Sequence, residues 1–200
     1  PSDMLGIGGA PGAYAAVTPP YGLTNGLEVG DAFLCSAPTG TLDVATGARA
    51  RCAGYALYTN ETVLAAGGTT NAFWYTHERF ARLVWRWDLV YEVAFTAGTG
   101  GTVTTNGGWY GEDEAVTVTA QPAAGRFFSH WTGNVPEGQR YQATLAFLST
   151  EPVTATAVFG QTFHVRTDGN DSADGLSWAS AKKTIEAAVF VSDVTHGTHL

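Results

Sequence analysis

The stretch Arg82–Val93, RLVWRWDLVYEV, constrains the chain more than any other. Leu83, Trp85, Trp87, Leu89, Tyr91 and Val93 recur every second residue, and Arg86, Asp88 and Glu92 fall between them. A period of two puts one set of side chains on each face of a strand. Such a strand must bury its aromatic face against another layer, so this part of the chain is a packed β-structure. Shorter segments before it read as strands separated by turn residues: DAFLCSAP, ARCAGYALY, TVLAAG and AFWYT. The opening GGAPGAYAAVTPPYG is too rich in Gly and Pro for a helix. Residues 1–90 are therefore expected to form a small antiparallel β-sandwich.

The pattern continues from 91 to 160. YEVAFTA and GTVTT are separated by Gly98, Gly100 and Gly101, a hairpin signal. AVTVTAQP alternates strictly, and GRFFSHWTG, YQATLAF and VTATAVF complete a second β-module. The long strand through Trp87 and Phe95 is expected to run from one module into the next, limiting hinge motion. Near Gln161 the character changes. TFHVRT reads as a short strand, DGNDSADGLSW as a loop and SAKKTIEAAVFVSD as the chain's one amphipathic helix. Ala181, Ile185, Ala188 and Val189 would share its apolar face. Ser177 or Ser180 would cap it, and Lys182 and Lys183 would lie in its first turn, against the helix dipole.

Charge excludes some functions. The formal net charge is −8, and of ten basic residues only Lys182 and Lys183 are lysines. No basic stripe exists to neutralise phosphates, so nucleic-acid binding is excluded. The acidic balance opposes adsorption to anionic membranes, and no apolar run reaches transmembrane length. Charged residues are only 14% of the chain, so Thr, Ser, Asn and Gly must cover much of the surface, a balance suited to secreted modules. The chain opens PSDMLGIGG, read as a fragment whose leader lies upstream or was removed. In that setting Cys35 and Cys52 are expected to form a disulfide, with two buried thiols as the alternative.

No catalytic, cofactor-binding or metal-ligating set emerges. Asp168, Asn170, Asp171 and Asp174 offer oxygen ligands for calcium, but the loop lacks the glycine and bidentate glutamate of an EF-hand. Asp, Asn and Gly are ordinary turn residues, and a plain turn is the preferred reading. His196 and His199 are a bare H-x-x-H spacing without further ligands. His77, His130 and His164 are scattered, and His130 reads as a half-buried packing residue. GEDE, 111–114, reads as a solvated turn rather than a separated acid pair. No nucleophile elbow, zinc-protease helix or phosphate loop is present. Among Trp74, Trp85, Trp87, Trp109, Tyr110 and Trp131, the core is expected to take Trp85, Trp87 and Trp131. Trp109 and Tyr110, next to Gly107 and Gly108, are the best candidates for an exposed, sugar-stacking loop tip.

Three resemblances follow from these residues. GTGGTVT (98–104), GEDEAVTVTAQPAAGRFFSHWTGNV (111–135) and VTATAVF (153–159) make residues 91–160 resemble the divergent, internalin B-repeat-like modules of bacterial secreted and surface proteins. That resemblance implies a spacer or adhesive unit without catalytic machinery. The residues agree with it: Gly125 permits the turn after Pro122, Phe127 or Phe128 can plug the small core, and Trp131 can close one end. Residues 161–200 look like the N-terminal cap of a right-handed parallel β-helix of the pectate-lyase-like kind, truncated before its first coil. Residues 1–90, with CAGYALY (52–58) and WRW (85–87), resemble a small domain found upstream of such modules.

The expected fold is mainly β: two sandwich-like modules, then a strand and capping helix that begin a β-helix. The expected function is a non-catalytic structural or adhesive region of a secreted or cell-surface protein, needing no cofactor and meeting an extracellular glycan or a host or cell-surface component. The alternatives are an accessory region of a polysaccharide lyase or glycoside hydrolase whose active site lies downstream, or a carbohydrate-binding module. The orphaned cap is expected to be less stable than the strands, because its apolar face would lack a partner.

Overall fold

The computed structural model describes residues 4–24, 26–59 and 62–196, with side chains as far as Phe190. It is mainly β and forms two compact units, each built from non-contiguous chain. The first unit contains residues up to Glu92 together with Trp109–Glu114 and Ser149–Pro152. The second contains Val93–Gly108, Ala115–Leu148 and the chain from Val153 onward.

The first unit is built on β1 (Leu5–Ala10), β2 (Gly22–Thr24), β3 (Ala32–Ser36), β4 (Thr41–Ala45), β5 (Ala48–Thr59), β6 (Val63–Gly68), β7 (Ala72–Thr76) and the greater part of β8 (Ala81–Ala97). The alternation around Trp85 does what its period requires. Leu83, Trp85, Trp87 and Leu89 are buried, Tyr91 is half-buried, and Arg86 and Asp88 face outward. β5 pairs antiparallel to β8 along one edge, Ala48 opposite Tyr91 through Thr59 opposite Ala81, with a bulge at Cys52/Gly54. β1 pairs parallel to the other edge, Leu5 opposite Ala81. This parallel pair corrects the expectation of a purely antiparallel sandwich. Parallel neighbours require a long crossover, and here most of the unit's chain supplies it. A separate ribbon, β3 with β7, lays Cys35, Phe73 and Tyr75 on the same core. Phe73 stacks on Tyr55 at 3.7 Å between ring centroids and meets Trp85 at 6.0 Å. His77, which the sequence leaves without a role, is fully buried edge-on to Tyr75.

The expected Cys35–Cys52 disulfide is corrected: both are free thiols. They lie on strands that are not neighbours, Cys35 on the β3–β7 ribbon and Cys52 at the bulge of β5. Cys35 is fully buried, and desolvation pushes its thiol pKa up to about 11. Cys52 is only partly buried, its Sγ 3.7 Å from the Gly54 carbonyl. Because the thiolate is the nucleophile, iodoacetamide at pH 8 is expected to alkylate Cys52 first in the native protein and Cys35 only on unfolding. Intact mass without reductant tests this; a chain two hydrogens light, with neither thiol alkylated, would contradict it.

The second unit comprises the end of β8 together with β9 (Gly101–Val103), β10 (Gly107–Gly111, shared with the first unit), β11 (Ala115–Pro122), β12 (Arg126–Gly133), β13 (Thr144–Leu148), β14 (Val153–Gln161) and α1 (Ile185–His196). β14 runs parallel to the end of β8 and antiparallel to β12. β11 is flanked by β13 and β9. The expected hairpin between YEVAFTA and GTVTT is therefore absent, because β9 pairs with β11. Phe95 and Trp131 lie 6.1 Å apart, and Phe95 meets Phe147 from β13 at 6.4 Å, closing two layers over one core. Of the two candidate plugs, Phe128 packs against Trp131 and Phe159 while Phe127 is half-exposed. Gly125 sits at φ +73°, in the left-handed region its turn requires. At Gly107, φ +91°, an added Cβ would fall 1.9 Å from the Val93 carbonyl oxygen.

After Gln161 the expected strand TFHVRT is reduced to a single parallel bridge, Val165 to Lys182. The helix also starts later than its pattern suggests. Thr184 is its cap: the Ala187 N–H donates to Thr184 Oγ1 at 3.2 Å. Ser177 and Ser180 instead bond to each other. Ala181 therefore precedes the helix, and the expected apolar face divides: Ala181 and Ala188 are buried, whereas Ile185 is 73% exposed.

Candidate functional site

Two places concentrate polar side chains, one in each unit. The first is a cleft in the first unit. The tight turn between β4 and β5, Ala45–Gly47, forms one wall. Asp43 and Arg49 project from the strands on either side of it, and Glu92 and Trp109 complete the lining of a cavity of about 480 Å³. The turn is clamped. The Glu92 N–H donates to the Gly47 carbonyl at 2.8 Å, and Gly47, at φ +70°, would press an added Cβ to 2.8 Å from the Pro152 ring. Arg49 is held from two sides, its Nε donating to Asp43 Oδ1 at 2.7 Å and its guanidinium lying 3.9 Å over the Trp109 ring. Trp109 thus stands on β10 rather than at a loop tip, and is 39% exposed. The expected trio Trp85, Trp87 and Trp131 is buried. Sequence reasoning ranked Trp74 too low. It sits on the outer face of the β3–β7 ribbon, 74% exposed, opposite Leu34. Trp178, not considered from the sequence, is also exposed and packs on His164 at 4.7 Å.

The second place is the DGNDSADG loop. It closes around Lys182, which is 3% exposed. The Lys182 Nζ donates to the carbonyls of Asp171 at 3.0 Å and Ala173 at 2.7 Å. Asp171 accepts the N–H groups of Lys183 and Thr184, both at 2.8 Å, and the Thr184 hydroxyl. Asp174 accepts the Leu176 N–H at 3.0 Å. The loop therefore wraps the chain's own ammonium group, where the calcium alternative would have placed a metal. This arrangement was hidden because Lys182 was assigned to the helix. The unfavourable pair of lysines in a first turn was the available signal that the helix starts after them.

Hydrogen bonds to these carboxylates set their titration. Asp171 is held below its ordinary pKa chiefly by the Thr184 N–H, and Asp174 chiefly by the Ser180 hydroxyl. A carboxylate depressed in the folded state contributes stability that is present above its unfolded pKa and lost as pH falls through the folded one. Residues 168–184 are thus expected to loosen in acid, below the usual carboxylate range, while staying closed at neutral pH. Carboxyl carbon shifts followed by NMR check this. Ordinary midpoints for both groups would contradict it.

The remaining candidates are turn chemistry. In GEDE the Gly111 N–H donates to Glu114 Oε2 at 2.8 Å, and Asp113 takes a positive φ of 60°. His130 is half-buried beside Ser129, its Nδ1 3.0 Å from that hydroxyl. His199 and the side chain of His196 lie outside what the structure describes. Among the described residues no three His, Cys, Asp or Glu side chains converge as a metal site would require.

The β-layers of the second unit, with their buried Trp131 and glycine-governed turns, hold most of the residues that a known family model matches. Residues 91–163 match the divergent InlB B-repeat domain. The match includes Trp109 and the GEDE turn and stops at Phe163, short of the Lys182 clasp; Asp43 and Arg49 also lie outside it. No curated protein and no solved structure matches the chain. The chain therefore carries a bacterial repeat module of a type associated with surface proteins, flanked by residues for which these comparisons give no family.

Proposed function

We propose that the chain is a non-catalytic, structural or adhesive region of a secreted or cell-surface bacterial protein. The observation that carries this reading is the InlB-type repeat across residues 91–163. The fate of the ionisable side chains supports it. Asp171, Asp174 and Glu114 hold backbone amides, Asp43 holds Arg49, and Lys182 fills its own loop. Each of these five is engaged by a partner within the chain rather than held free as an acid or a base. Assay of the pure chain against a library of pectins and neutral glycans should show no turnover. Reproducible cleavage that survives chelation would overturn the reading and favour a lyase or hydrolase.

The same proposal makes residues 161–196 the entrance cap of a parallel β-helix. Support comes from the parallel bridge between Val165 and Lys182 and from Ile185 and Phe190, 73% and 69% exposed on the helix. Burying either side chain would contribute roughly 1.5–3 kcal/mol, and a helix of this length gains little from local propensity. Hydrogen exchange of the chain alone should therefore find amides 186–190 opening far faster than those of 83–93 and 115–120. Equal protection would show that the helix is already fully packed, and the cap reading would fail.

A further inference from the structure

We propose that the Trp109–Arg49 cleft of the first unit binds a neutral saccharide. This rests on the adhesive part of the reading above and gives it a ligand class. The argument is one of elimination and fit. The lining carries two carboxylates, Asp43 and Glu92, and one guanidinium already paired with Asp43 at 2.7 Å. Its surplus charge is negative, as is that of the whole chain at −8, so an anionic ligand would be repelled. A cationic ligand seeking the indole face finds Arg49 already there at 3.9 Å. The apolar lining, Val44, Ala45 and Trp109, is too small for a lipid chain.

What remains is a polyol. Carboxylate oxygens accept from hydroxyls and guanidinium N–H groups donate to them, so the cleft alternates acceptors and donors as vicinal hydroxyls do. Trp109, Val44 and Ala45 supply the apolar part of the lining, against which the C–H groups of a sugar can lie beside the stacked Arg49. A volume of about 480 Å³ holds one or two sugar rings. The groups are set before any ligand arrives: the ion pair and the ring stack fix Arg49, and the Glu92–Gly47 hydrogen bond fixes the turn. Little ordering then opposes binding.

The test is an NMR titration of the whole chain with neutral gluco-, manno-, galacto- and xylo-oligosaccharides and, as an anionic arm, polyuronates, reading the indole N–H of Trp109. At least one neutral series should shift it saturably. Asp43→Asn and Glu92→Gln alter exposed side chains that do not hold the core, and each should weaken binding about tenfold, equal to about 1.4 kcal/mol. Trp74→Ala should leave affinity unchanged. No saturable shift in any neutral series overturns the proposal. So does binding that Trp74→Ala abolishes while Asp43→Asn and Glu92→Gln spare it, or binding of polyuronates alone. A chain located at the cell surface but silent in this titration would sink the saccharide site and leave the structural reading standing. A chain confined to the cytoplasm would remove the adhesive reading itself.

Discussion

Replacing Trp131 by alanine is expected to lower the unfolding free energy of the repeat module by about 3–5 kcal/mol. The side chain is fully buried between Phe95 and Phe128. Its Nε1 also donates to the Gln142 carbonyl at 2.9 Å, so truncation leaves a cavity and removes that hydrogen bond as well. Domains of ordinary size have only about 5–15 kcal/mol to lose, so the variant should sit close to its unfolding transition at room temperature. Urea denaturation measures this. A loss below about 1 kcal/mol would mean that the two layers do not depend on the tryptophan between them. Phe127→Ala, one position before Phe128 but half-exposed, should cost much less.

Replacing Lys182 by methionine is the second large effect. The methionine keeps most of the stem but returns no donor to the carbonyls of Asp171 and Ala173. Hydrogen bonds from a charged donor contribute about 1.5–3 kcal/mol each, so the clasp should lose about 3 kcal/mol. The amides of Asn170, Gly175 and Lys182, which bond to Ala181, Ser180 and His164, should then exchange roughly a hundredfold faster. The strands of the first unit should be unaffected. Unchanged exchange at these three amides would show that backbone pairing alone holds the loop.

Much of the strand pattern was legible because burial follows a period of two. Leu83 to Leu89 face the core as their spacing requires, and Ala115–Pro122 is a strand as its alternation requires. Spacing does not encode a strand's neighbours, which is why the parallel pairing of β1 with β8 and the β9–β11 pairing were missed. The two thiols were misread for a similar reason: a count of two in a chain that looks secreted says nothing about whether their strands are adjacent. Between Phe127 and Phe128 the bulge at Phe128/His130 decides which ring faces inward, and a bulge leaves little trace in composition. The cleft was half legible. Trp109 was noticed, but its partners Arg49 and Asp43 come from a turn some sixty residues earlier, and only the fold brings them together. Lys182 was hardest, because a buried lysine satisfied by carbonyls looks in sequence like any helix-surface lysine.

The role proposed for the chain is that of an extracellular, non-catalytic part of a bacterial surface protein. Intact cells of the source bacterium, probed with antibodies raised against the repeat module and without permeabilisation, test it most directly. The account predicts strong surface labelling that external protease removes while a cytoplasmic marker stays intact. Labelling that appears only after the envelope is breached and that external protease leaves untouched would contradict it.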